Sequence, residues 1–95
     1  MIYFLIFHGQ PNLDAENIDN IGGAYINCYV QANNLEQADK NSRKDIRKMK
    51  WEILEREEAY ELDADSLSDK GREYYEQALI DKTVYVLHTY PIEEN

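Results

Sequence analysis

The chain has a single cysteine, Cys28, among 95 residues, so no intramolecular disulfide can staple it, and no Cys/His spacing suits a zinc framework. Histidine is nearly as scarce. His8 and His88 form no pair at i, i+2 or i, i+4, and neither a metal nor a cofactor is expected. Cations are outnumbered, with 10 Lys and Arg against 19 Asp and Glu, a net charge of -9 and a pI near 4.5. That balance opposes adhesion to phosphate backbones and anionic lipids, so nucleic acid and membrane are not expected partners. Long apolar runs are missing too. The one continuous run, Met1 to Phe7, is too short to cross a bilayer and has neither a basic region before it nor a small-residue cleavage site after it. We read it as neither span nor signal peptide and expect a cytoplasmic protein. No Gly-rich phosphate loop, Walker pattern or G-x-S-x-G elbow is present, and Gly22-Gly23 reads as a turn leading into a strand.

What the chain does contain is apolar surface: 43% hydrophobic and 12% aromatic residues, enough to oppose the ordering entropy of one domain spanning 1–95. Met1 to Phe7 is apolar at every position and reads as a central strand covered on both faces. Breakers and turn formers crowd 9–23, which reads as a long loop pinned by Leu13, Ile18 and Ile21. From Ala24 to Gln31 the pattern alternates, with Ala24, Ile26, Cys28 and Val30 opposed to Tyr25, Asn27, Tyr29 and Gln31. Asn34 is placed to cap a helix running to about Lys48, with Gln37 at the capping-box position and a thin apolar stripe of Leu35, Ala38, Ser42, Ile46 and Met49. Trp51 to Leu62 suits an edge strand that leaves the core as it proceeds, and Lys70 to Ile80 suits a second helix. Thr83 to Tyr90 alternates again, Val84, Val86 and His88 against Thr83, Tyr85, Leu87 and Thr89, until Pro91 stops the ladder; 92–95 is a frayed tail.

The order β-β-α-β-α-β predicts an α+β fold with two helices packed on one face of a four-stranded, mainly antiparallel sheet. That architecture resembles the ferredoxin-like fold, with a hairpin replacing its first crossover.

Three features bear on function. Catalytic candidates are few: His8, Cys28 and His88, of which Cys28 with a histidine would make a nucleophile and base if they met. Cys28 between Ile26 and Val30 reads more simply as an inert core residue, and the balance is against an enzyme. Charge is segregated. Lys40, Arg43, Lys44, Arg47, Lys48 and Lys50 cluster around Asp45, whereas Glu52, Glu55, Glu57, Glu58, Glu61, Asp63, Asp65 and Asp69 surround Arg56. The basic run suits a solvated helix face, and Glu55, Glu57, Glu58 and Glu61 offer a surface to a basic protein partner, as an inhibitor or immunity protein does. Tyrosine is abundant, 8 residues in all. If the apolar halves of the strands face the helices, Tyr3, Tyr25, Tyr29, Tyr85 and Leu87 share the opposite face, an aromatic patch that a second copy would cover. The expectation is a small acidic interaction domain, homodimeric through that tyrosine-rich face. The alternatives are a small-molecule or catalytic His/Cys/Tyr pocket and an acidic inhibitor of a basic protein.

Overall fold

Apolar residues at every position of a strand demand cover on both sides, and the computed structural model, which describes residues 1–12 and 20–92, meets that demand directly. The elements in chain order are β1 (Ile2–Pro11), β2 (Ile21–Gln31), α1 (Leu35–Lys48), β3 (Trp51–Glu61), α2 (Asp69–Asp81) and β4 (Thr83–Pro91), with a short 3-10 turn at Ala64–Ser66. The strands form one sheet in the order β3-β1-β2-β4, and every neighbouring pair is antiparallel. β1 is therefore interior, and β3 and β4 are the two edges.

The helices lie on opposite faces of this sheet, not on one. Tyr3, Leu5 and Phe7 of β1, with Ala24, Ile26, Cys28 and Val30 of β2, pack with Ala38 and Ile46 of α1. Ile2 and Phe4 of β1, with Tyr29 of β2, pack with Ala78 of α2. The physical reason lies in β1: with large apolar side chains on both faces, two helices on one side would leave the other wet. Burying a side chain such as Phe7 or Ile26, each at 0% exposure, contributes about 1.5–3 kcal/mol. The ferredoxin-like arrangement is replaced by three layers, helix, sheet and helix.

α1 can approach closely because its inner stripe is small. Ala38, Ser42 and Ile46 are its buried residues, and Ser42 satisfies its hydroxyl by donating to the Ala38 carbonyl at 2.7 Å. Its start follows the sequence signal: the Asn34 side chain accepts from the Gln37 N–H at 2.8 Å, while the Asn33 N–H donates to the Gln37 side chain at 2.9 Å. Polar contacts pin α1 at both ends of the sheet. Arg43 and Arg56 both donate to Asp39, tying the helix to β3, and the Tyr85 hydroxyl donates to Asp45 at 2.6 Å, tying it to β4.

Pairing extends further than composition suggested. β1 runs on to Pro11 and β2 starts at Ile21, so most of 9–11 and 21–23 is ladder where a loop was expected, and Gly22-Gly23 lies within a strand. Leu13 and Ile18, two of the three residues expected to pin that loop, lie outside the described residues. The Ile92 N–H donates to the Asn20 carbonyl at 3.1 Å, which ties the chain down at 92; the rest of the tail lies outside the described residues.

Candidate functional site

α2 covers only part of its face. It packs over the rows that hold Ile2, Phe4 and Ile6 of β1, Tyr29 of β2, and Val84 and Val86 of β4. Beyond these, register aligns Glu55, His8, Tyr25 and His88 in one row across all four strands, because His8 pairs with both Glu55 and Tyr25, and Tyr25 with His88. In that uncovered row Tyr25 is 44% exposed, and His88 and Glu55 are also exposed.

Aromatic contacts organise the row. The His8 and Tyr25 rings stack with centroids 4.7 Å apart and an interplanar angle of 15°. From β4, Tyr90 reaches across β2 to place its hydroxyl 2.6 Å from His8 Nε2. Glycine makes this reach possible: Gly23 pairs with Tyr90, and a Cβ on Gly23 would lie 2.6 Å from Tyr90 Cζ. His88 sits 3.4 Å from the Asn27 side-chain nitrogen. His8, Tyr25, Tyr90 and Pro91 line an open depression of about 490 Å³. The sequence pointed to His8, Tyr25 and His88 but missed Tyr90 and Gly23; Gly beside Gly at a strand start was the available signal, since it marks a close approach.

Cys28 does not join them. It alternates onto the α1 face, fully buried, whereas His8 and His88 lie on the α2 face, so the nucleophile and base pair is not assembled. Burial pushes the Cys28 thiol far up from its ordinary value, and the Asp45 carboxylate adds to the effect, which keeps it an inert thiol. Among the described residues no group of three or more His, Cys, Asp or Glu is arranged to hold a metal ion.

The five residues expected to form one tyrosine-rich patch are split by register. Cys28 pairs with Tyr85 and Ile26 with Leu87, so Tyr85 and Leu87 join Tyr3 on the α1 face, while Tyr25 and Tyr29 lie on the α2 face. Tyr3 at 6% and Tyr29 at 7% exposure belong to the core. Burial, followed by the neighbouring Tyr74 and Tyr60, pushes Tyr29 up, and burial with the Asp45 carboxylate does so to Tyr85. Alternation fixes which residues of one strand share a side, but only register relates one strand to the next.

No known family, curated protein or solved structure matches this chain. Its possibilities have to be read from its own surfaces, and the two sheet edges differ most.

Along β3 stand Glu52, Glu55, Arg56, Glu57, Glu58 and Glu61, all exposed, and two register shifts interrupt its pairing with β1. Charge and bulges of this kind keep another strand from adding to an edge. β4 has neither protection: Thr83 to Pro91 contains no Asp, Glu, Lys or Arg, and its pairing with β2 is regular from Val30 to Gly23. The ladder's phase follows from the Gln31 N–H, which donates to the Lys82 carbonyl at 2.7 Å. Alternation then turns the N–H and C=O groups of Val84, Val86, His88 and Tyr90 toward β2 and those of Thr83, Tyr85, Leu87 and Thr89 off the sheet. Alongside this edge, Glu73, Tyr74, Glu76, Gln77, Ile80 and Val84 line a groove between α2 and β4. Ile80 in that groove is 75% exposed.

The expected acidic surface, Glu55, Glu57, Glu58 and Glu61, is exposed as a row on β3. Its segregation from the basic run is reduced in three dimensions, because α1 packs more on β3 than on any other strand. No helix among the described residues is long and apolar enough to cross a membrane.

Proposed function

We propose that this chain is a protein–protein interaction domain that self-associates by strand addition along β4. The observation that carries the reading is the contrast between the two edges: β3 is charged and bulged, β4 uncharged and regularly paired from Thr83 to Tyr90. An uncharged, regular edge is a template for another strand, and natural sheets leave one unguarded where it is used or covered. The exposed Ile80 and Leu79 on the neighbouring helix extend the apolar surface that such an association would remove from water. The row Glu55, Glu57, Glu58 and Glu61 stays free in this arrangement and suits a basic protein as a further partner. A cytoplasmic setting goes with the same reading, supported by the single buried thiol.

Sedimentation from low to high micromolar concentration tests it, comparing the wild type with Thr89→Pro. The Thr89 side chain is exposed and its N–H points off the sheet, so proline there deletes an edge donor and leaves the β2 ladder whole. The wild type should reach a dimer, and the variant should associate about tenfold more weakly, as expected for one hydrogen bond lost from each copy. A wild type that remains monomeric throughout overturns the reading.

A further inference from the structure

We infer that the occupant of the β4 edge is a second copy joined antiparallel across a two-fold axis at Val86, so that His88 of each copy enters the α2–β4 groove of the other. This rests on the self-association proposed above and adds its register and its charge pairing.

Register follows from which groups point outward. A two-fold pairing centred on Val86 sets Tyr85 opposite Leu87 and Thr83 opposite Thr89, each pair twice, and all four outward residues exchange both of their backbone bonds. Moving the centre to Leu87 brings Thr83 opposite Pro91, which has no N–H. Moving it to Tyr85 brings Thr89 opposite Asp81, which belongs to α2. Only the Val86 centre uses the whole edge.

Side chains agree with that register. On the α1 face it sets Tyr85 beside Leu87 of the second copy, an aromatic–aliphatic cross-strand pair. On the α2 face it sets Val86 beside Val86 and Val84 beside His88. Val84 is a lining residue of the α2–β4 groove, whose walls carry Glu73 and Glu76, so the imidazole of the second copy arrives between carboxylates. No two like charges meet along the joined strands, although each chain carries a net charge of -9.

The uncovered half of the sheet is explained at the same time. α2 stands over the rows of Val84 and Val86 but not over His88 and Tyr90. In the joined pair each open row, His8, Tyr25 and His88, lies level with Val84 of the second copy, and therefore beside that copy's α2. The row and its depression become two sites at the join, each walled by the other copy's helix.

Oxidative cross-linking reads the register. Opposed residues in a non-hydrogen-bonded antiparallel pair have Cα atoms about 4.5 Å apart, within disulfide range, whereas Leu87 and its copy lie on a diagonal of about 7–8 Å. Val86→Cys should therefore link two chains under mild oxidant, and Leu87→Cys should not; the buried native thiol stays silent in both. Because both substitutions touch partly buried positions, the exposed His88 gives a second measurement. His88→Glu should weaken association by about tenfold by setting a carboxylate against Glu73 and Glu76, and His88→Lys should preserve it. A dimer in which Leu87→Cys links and Val86→Cys does not, or in which His88→Glu changes nothing, overturns this register while leaving self-association standing. A monomer at every concentration overturns both.

Discussion

Single atoms decide the geometry of the uncovered row. Tyr90 reaches His8 only because the residue between them, Gly23, has no side chain, and a methyl there would also lie 2.7 Å from the Gly9 carbonyl oxygen. A backbone oxygen in a paired strand cannot withdraw, so the strain falls on Tyr90 and on the β1–β2 ladder together. Gly23→Ala is expected to cost about 1–3 kcal/mol in urea unfolding and to break the Tyr90–His8 hydrogen bond, visible as a change in the His8 imidazole resonances. Tyr90→Phe separates the two effects. It removes the hydroxyl alone and should cost about 1 kcal/mol or less while giving the same change at His8. If Gly23→Ala is neutral, the approach of Tyr90 over β2 is not as close as described.

At the scale of elements, the junction between α1 and β3 depends on one carboxylate. Burial by itself would raise Asp39, but hydrogen bonds from Arg43 at 2.7 Å and Arg56 at 2.9 Å outweigh it and hold the group below its ordinary value. A carboxyl depressed on folding adds stability that is present above its unfolded pKa and disappears as pH falls through the lower, folded one. Asp39→Asn should therefore destabilise by about 1 kcal/mol or less at neutral pH, the arginines being partly exposed, with the difference from wild type shrinking toward zero in strong acid. Urea unfolding of both proteins at neutral and acidic pH checks this; a difference that persists in acid would assign the loss to packing.

This junction also shows where the sequence stopped being legible. Helix limits, the Asn34 cap, the central place of β1 and the edge place of β3 follow from spacing and composition, because each is a local or single-strand property. The side on which each helix lies, and the division of Tyr25 and Tyr29 from Tyr85 and Leu87, follow from register between strands, which alternation within a strand does not contain. The clue to opposed helices was nonetheless present in β1, whose two apolar faces require two covers. The candidate site was legible as residues, His8, Tyr25 and His88, but not as a row.

For the whole molecule, net charge sets how two copies meet. Each carries -9, and two four-stranded sheets joined edge to edge through β4 have their centres four strand spacings, about 19 Å, apart. In water with 0.1 M salt, where the screening length is about 10 Å, the mutual repulsion at that distance is roughly 2–3 kcal/mol, and in 1 M salt it is negligible. Joining through β4 adds no attractive charge along the strands to offset this, and the His88 contacts with Glu73 and Glu76 are few beside the net repulsion. Sodium chloride raised from 0.1 to 1 M should accordingly tighten the dimer, by about tenfold or more. The competing geometry, the basic face of α1 in one copy against the acidic edge β3 of another, is held by attraction between opposite charges and should loosen over the same range. Sedimentation equilibrium across that salt series distinguishes the two by sign alone, and association that weakens steadily with salt would move the interface from β4 to the charged side of the molecule.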